Sequence, residues 1–141
     1  MTTLCSSIEL IPSERGRIWM NPDILRVQTM HGHITVYKGF IHDLDTFVPN
    51  LWDDLPPIVH DFGYKHRIRT DGTELSRKQW DQIYRELNER SPNPWRRQFA
   101  AHRYWGLRVG GWHAWNKRGG ADPIPPSSQH LYGQQPSMLV V

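Results

Sequence analysis

The first clear pattern of hydrophobic and polar positions lies in residues 24–38. Two runs rich in β-branched side chains stand on either side of Gly32, and Ile34, Val36 and the ring of Tyr37 offer side chains typical of a strand. A glycine between two such runs is typical of a tight turn. The pattern therefore predicts a β-hairpin over residues 24–38.

A helix is predicted after a segment rich in Asp and Pro, residues 39–57, which has the composition of a shaped loop. Pro56 and Pro57 suit the first turn of a helix, where a missing N–H costs no hydrogen bond. We expect this helix to continue to about Lys65.

The strongest helical pattern begins at Ser76, the predicted N-cap of a helix that runs to about Arg90. The polar stretch before it, residues 67–74, is centred on Asp71 and Gly72 and predicts a turn. The apolar side chains of the helix recur three and four residues apart, which places them on one face. They are Trp80, Ile83, Tyr84 and Leu87.

A third amphipathic helix is predicted over residues 95–109. Its apolar stripe is expected to lie in the core, with the arginines facing water. The stripe consists of Trp95, Phe99, His102, Gly106 and Val109, and the arginines off it are Arg96, Arg97, Arg103 and Arg108. Trp112 and Trp115 follow near glycines and Lys117, and amphipathic indoles at such positions favour an exposed aromatic contact.

Composition favours one domain with a tail. The 141 residues, 38% of them hydrophobic, can fill one modest core. Beyond Gly119 the composition shifts to Pro, Ser, Gln and Gly, which cannot bury enough apolar area to fold alone. We therefore expect a single α+β domain over residues 1–118, with a β-hairpin followed by three helices. An extended tail over residues 119–141 would be ordered by a neighbouring chain.

Charge and cysteine content limit the partners and the compartment that we expect for the chain. The net charge is +3, but acidic and basic residues alternate along most of the chain, so a nucleic-acid partner is not indicated. Cys5 is the single cysteine, which excludes an intrachain disulfide and favours a reducing compartment. The N-terminal residues do not resemble a Sec signal peptide, and no apolar run approaches the roughly 20 residues that cross a bilayer. Any membrane contact is therefore expected at the surface.

Candidate chemistry centres on PPIVHDFGYKH, residues 56–66. His60 and Tyr64 are four residues apart and share one helical face, while Asp61 is turned about 100° away. A helix packed alongside could bring Asp81 to the far nitrogen of His60, where a carboxylate fixes the tautomer and supports the imidazolium. The pattern predicts a histidine that takes a proton from water in ester hydrolysis.

Aspartates in the preceding loop add a candidate cation site. Asp43 and Asp45 could supply oxygen ligands alongside Asp61. Carboxylates and backbone carbonyls suit a hard cation such as calcium better than zinc. Such a cation would hold the oxyanion that develops when water attacks an ester carbonyl.

Each of these residues also has a simpler interpretation. A single His on an apolar helix is usually a hydrogen-bonded structural residue, and Tyr64 could fill the space between helices while its hydroxyl finds one partner. Asp81 could be a solvated helix position or a partner of Arg85. Asp43 and Asp45 could shape a turn by bonding nearby backbone N–H groups.

Three segments, GFIHD, HDFGY and SRKQWDQIY, follow one another between residues 39 and 90. Their order resembles a small family found mostly in bacteriophages and prophages, the domain of unknown function thirteen fifty-three. That family has a Gly-Phe-x-Thr-Asp-x-x-Ser-Val-Pro loop, a His-Asp-x-x-Tyr helix and a Ser-Arg-x-x-x-Asp helix. His42 stands where the family usually has threonine. The resemblance implies a phage origin, with the protein in the virion or the host cytoplasm.

The HDFGY segment is also similar to the catalytic helix of phospholipase A(2), especially its compact bacterial and fungal forms. The resemblance implies an antiparallel helix pair that carries a general base, an aspartate and a supporting tyrosine: His60, Asp81 and Tyr64. It also implies calcium ligands on the helix and in the loop before it: Asp61, Asp43 and the carbonyl of Leu44. Those enzymes are exported and disulfide-bonded, so the scaffold is implied more strongly than the activity.

Two functions from different classes follow. The first is a phage-encoded, calcium-assisted hydrolase of lipid or related ester bonds, which would meet a phospholipid membrane at its surface. The second is a non-catalytic virion component of the tail or capsid that binds neighbouring virion proteins through residues 120–141.

Overall fold

The computed structural model describes residues 11–12, 19–20, 23–42, 55–117 and 120–133. Its strands are β1 (Ile11–Pro12), β2 (Trp19–Met20), β3 (Leu25–Thr29), β4 (Gly32–Val36) and β5 (Ile41–His42). Its helices are α1 (Leu55–His66), α2 (Arg77–Glu89), α3 (Pro94–Gln98) and α4 (Ala100–Asn116), followed by a 3-10 helix at Pro126–Leu131. One antiparallel sheet has the order β1-β2-β5, and β3 pairs with β4. The predicted α+β fold is confirmed.

The predicted β-hairpin is formed by β3 and β4, which pair antiparallel from Leu25 opposite Val36 to Thr29 opposite Gly32. Gly32 has a φ of +106°, a conformation that residues with a Cβ rarely adopt, so glycine suits this turn. Leu25, Val27 and Val36 are buried. The hairpin therefore contributes one apolar face to the core.

Helices α1 and α2 are joined by a turn and pack closely side by side. Arg67 ends α1 with a φ of 65°, which redirects the chain. The Ser76 hydroxyl caps α2 by accepting from the Gln79 N–H, and the Gln79 side chain accepts from the Ser76 N–H. A Cβ on Gly63 would lie 2.2 Å from the indole of Trp80. The glycine therefore allows the close approach that lets side chains of the two helices meet.

The third helix predicted over residues 95–109 is in fact two helices, α3 and α4, with a break between them. The prediction that its apolar stripe lies in the core is wrong, since Trp95 and Val109 are exposed. Arg96 is buried instead and donates to the side-chain oxygen of Asn88 at 3.2 Å. The other stripe residues, Phe99, His102 and Gly106, are exposed as well.

Residues 120–133 pack against the chain's own core, which their composition did not predict. Ile124 and Tyr132 are buried, and the Tyr132 hydroxyl donates to the carbonyl of Thr35 at 2.7 Å. Two apolar anchors and backbone hydrogen bonds thus hold an otherwise polar segment against the core of the chain itself. The rest of the predicted tail, residue 119 and residues 134–141, lies outside the described residues.

One hydrophobic cluster joins the hairpin, α1, α2 and the C-terminal segment. Its fully buried apolar side chains include Ile34, Val36, Ile58, Phe62, Trp80 and Ile83. In the part of the chain that the structure describes, no helix combines the length and apolarity needed to cross a membrane.

Candidate active site

His60 of α1 and Asp81 of α2 meet between the two helices. The Nε2 atom of His60 lies 3.0 Å from Oδ1 of Asp81, and the Tyr64 hydroxyl donates to the same oxygen at 2.6 Å. The ring of His60 lies 4.9 Å from the ring of Tyr84. The earlier residue of α1, His60, thus contacts the later residue of α2, Tyr84, whereas Tyr64 contacts Asp81. The two helices therefore run antiparallel. The antiparallel pair therefore brings together the three residues predicted as catalytic.

Asp81 is completely buried among hydrogen-bond donors. Its Oδ2 atom accepts from the Arg108 guanidinium at 2.9 Å, and the guanidinium of Arg77 lies 3.6 Å away. Burial alone would raise the pKa of this carboxyl, but hydrogen bonds from His60, Tyr64 and Arg108 outweigh burial and lower it. The carboxyl group is therefore ionised at neutral pH.

The hydrogen bond to Asp81 decides which nitrogen of His60 carries the proton. An ionised carboxylate can only accept, so Nε2 is the donor and Nδ1 holds the lone pair in the neutral ring. Among the described residues, Asp81 is the one hydrogen-bond partner of this imidazole. His60 is buried, and its side chain keeps 10% of its surface exposed. Nδ1 is therefore the nitrogen that can act as a base.

The Tyr64 hydroxyl stays protonated and donates a hydrogen bond. Burial raises the pKa of its hydroxyl, and the hydrogen bond to Asp81 raises it further. The rings of Tyr64 and His60 lie 4.2 Å apart, so the same tyrosine also restricts the imidazole. Tyr64 thus does more than fill the space between the helices, because it fixes both members of the His60 and Asp81 pair.

Helix α4 lies directly against this cluster. A Cβ on Gly111 would come within 2.6 Å of the Tyr64 hydroxyl oxygen, and the ring of Trp115 meets that of Tyr64 edge-on at 5.2 Å. The Arg77 guanidinium donates to the carbonyl of Leu107 at 2.9 Å. The inner side of α4 therefore encloses Tyr64 and holds the arginines that face Asp81.

The structure describes one of the predicted metal ligands. Asp61 is half-buried on α1, while Asp43, Leu44 and Asp45 lie outside the described residues. Within the described ranges, no group of three or more His, Cys, Asp or Glu side chains is placed to hold a metal ion. Calcium takes six to eight oxygen ligands, and one carboxylate does not supply them. The calcium site expected from Asp43, Leu44, Asp45 and Asp61 therefore stays a prediction.

Sequence reasoning missed the two arginines that hold Asp81. Arg77 stands four residues before Asp81 on α2, a spacing that could have been recognised in the sequence. Arg108 gave no such signal, because it reaches Asp81 only once α4 has packed on α2. The alternative interpretation of Asp81 as a solvated residue or a partner of Arg85 is wrong, since Asp81 is enclosed and Arg85 pairs with Glu89 at 3.4 Å.

Comparison of the chain with protein-family models, curated proteins and solved structures gives no match. The resemblances to the phage family and to phospholipase A(2) therefore stay predictions that depend on the motifs. The geometry offers a basic nitrogen on His60, a buried carboxylate that would stabilise the imidazolium, and a tyrosine that orients both. Such a group can accept a proton from water or from a hydroxyl.

Proposed function

We propose that the chain is a hydrolase of lipid or related ester bonds in which His60 activates water. The observation that carries this proposal is the contact of 3.0 Å between His60 Nε2 and Asp81 Oδ1. Because this contact occupies Nε2, it directs the lone pair of Nδ1 away from Asp81. Histidine held in this way by a buried carboxylate is a suitable general base.

The proposed reaction begins when His60 Nδ1 takes a proton from water. The water oxygen forms a bond to the ester carbonyl carbon, and the imidazolium is stabilised by Asp81. The carbon–oxygen bond to the alcohol then breaks, and the proton on Nδ1 passes to the leaving oxygen. The products are a carboxylic acid and an alcohol, and His60 returns to its starting state.

His60→Gln tests the proposal with little change to the packing. The glutamine amide can replace Nε2 as a donor to Asp81, but it supplies no base. We expect fatty-acid release from phospholipid vesicles, assayed with calcium and with a chelator, to fall by about 100-fold or more. His33→Gln, an exposed histidine on β4, is the matched control and should retain full activity.

The hydrolase proposal fails if the wild-type chain releases no more fatty acid than His60→Gln from any phospholipid, with or without calcium. Circular dichroism of both variants verifies that the fold is intact. A requirement for calcium would extend the proposal to the loop that contains Asp43, and activity in the chelator would remove the cation from it.

A non-catalytic component of a phage particle is the second candidate function. It is favoured by exposed aromatic side chains on α3 and α4, which suit contact with another surface. Because Tyr132 is part of the core, removal of residues 120–141 would damage the fold, and truncation after residue 133 is the cleaner test. Loss of incorporation into particles would support this role, and unchanged incorporation would exclude binding through residues 134–141.

A further inference from the structure

The outward sides of α3 and α4 carry large apolar side chains. Trp95 and Phe99 are exposed, and their rings stack 5.8 Å apart. On α4, Trp105, Val109 and Trp112 recur four and three residues apart, so they share one side of the helix. They are 61%, 77% and 54% exposed, respectively. We call these five residues the outer aromatic face.

The outer aromatic face lies within a strongly cationic part of the chain. Residues 90–121 contain seven Arg and Lys side chains and neither Asp nor Glu. The rest of the chain has ten basic against fourteen acidic side chains, so its net charge has the opposite sign. Such segregation favours a negatively charged partner for this part of the molecule.

Several of these cations are already engaged inside the fold. Arg96 is buried, Arg103 donates to the Tyr84 hydroxyl at 3.2 Å, and Arg108 pairs with Asp81. Their inward direction explains why the aromatic side chains lie outward. Exposed cations are still present near both ends of the face, at Arg97 and Lys117.

We propose that the outer aromatic face docks onto the surface of an anionic phospholipid bilayer. Tryptophan favours the boundary between headgroups and acyl chains, and nearby Arg and Lys side chains are attracted to anionic lipids. This proposal goes beyond the hydrolase and does not rest on it, since a surface can bind vesicles without turnover.

Two other occupants fit the face less well. A second copy of the chain would bring the exposed cations Arg97 and Lys117 of both copies to one interface, and like charges across an interface oppose association. A nucleic acid would need many cations directed at phosphates, whereas Arg96, Arg103 and Arg108 point into the protein. An anionic bilayer offers an apolar layer to the aromatic side chains and a negatively charged surface to the exposed cations.

Vesicle sedimentation of the full chain tests the proposal. We expect binding to phosphatidylglycerol vesicles to exceed binding to phosphatidylcholine vesicles, and to weaken as salt is raised. The double variant Trp105→Gln with Trp112→Gln should lose about tenfold in vesicle affinity, because two indoles no longer enter the interface. Met30→Gln, an exposed apolar residue on the hairpin turn, is the matched control and should bind like the wild type.

The same measurements on His60→Gln separate docking from hydrolysis, since this variant should bind vesicles normally. Equal binding to the two lipids, or unchanged binding by the double Trp variant, would overturn the proposal. Light scattering tests for a second copy: a dimer that the double variant abolishes, without vesicle binding, would assign the face to a second copy.

Discussion

Helices α2 and α4 both carry apolar side chains at helical spacing. Helix α2 turns its apolar side towards the core, whereas α4 turns its apolar side towards solvent. In α2, Trp80 and Ile83 are completely buried. In α4, Trp105 and Val109 lie in solvent, and Arg108 turns inward to Asp81. Helix α2 packs on the apolar side chains of α1 and the hairpin, whereas α4 packs on the side of α2 that carries Asp81.

The difference shows that a buried charge can orient a helix against its hydrophobic pattern. An enclosed carboxylate without cationic partners costs several kcal/mol, and its hydrogen bonds have to come from elements that pack on it. Arg77 of α2 is a cationic partner 3.6 Å away, and Arg108 of α4 donates a hydrogen bond. The aromatic side chains of α4 are left outside, where they define the outer aromatic face.

Gly63→Ala is expected to have the largest effect on stability. Gly63 lies on α1, where that helix packs on the buried side of α2. The new methyl group would lie 2.2 Å from the buried indole of Trp80, and neither helix can move without disturbing the core. We expect the free energy of unfolding to fall by about 3 kcal/mol, as measured by urea denaturation.

Gly106→Ala is the matched change on the exposed side of α4. A Cβ there meets no other atom within 4 Å, and alanine is the better helix former. The free energy of unfolding should therefore rise by about 0.5–1 kcal/mol. A loss similar to that of Gly63→Ala would show that this side of α4 is packed, and would break the comparison.

Arg108→Ala and Val109→Ala test neighbouring residues on opposite sides of α4. Loss of the Arg108 hydrogen bond to buried Asp81 should cost about 1–3 kcal/mol of unfolding free energy. Val109 is exposed, and its truncation should change stability by less than about 0.5 kcal/mol. If Val109→Ala were the more damaging change, the assigned orientation of α4 would be wrong.

Local patterns were sufficient to predict the hairpin, α1 and α2. Gly32 and the capping residue Ser76 act through their immediate neighbours, and the apolar face of α2 meets an apolar partner. Even the meeting of His60 with Asp81 could be predicted, because helices that follow one another in sequence usually pack side by side. In these elements, sequence spacing and tertiary packing agree.

The remaining features depend on contacts distant in sequence. The spacing of residues 95–109 predicts a core stripe, because nothing local shows that Arg108 is drawn to Asp81. The composition of residues 120–133 predicts a tail, because it hides the contribution of Tyr132 to the core. Both predictions depend on the average hydrophobicity of a segment. In each case one contact, that of Arg108 with Asp81 or of Tyr132 with Thr35, decides the packing instead.

The tautomer of His60 is the most direct test of the central claim, that Asp81 leaves Nδ1 with the lone pair that activates water. Nitrogen NMR of the imidazole, assigned with His60→Gln, distinguishes the two tautomers of the neutral ring. We predict that the proton resides on Nε2 and that Asp81→Asn shifts its resonance. A neutral ring protonated on Nδ1, with no response to Asp81→Asn, would contradict the account.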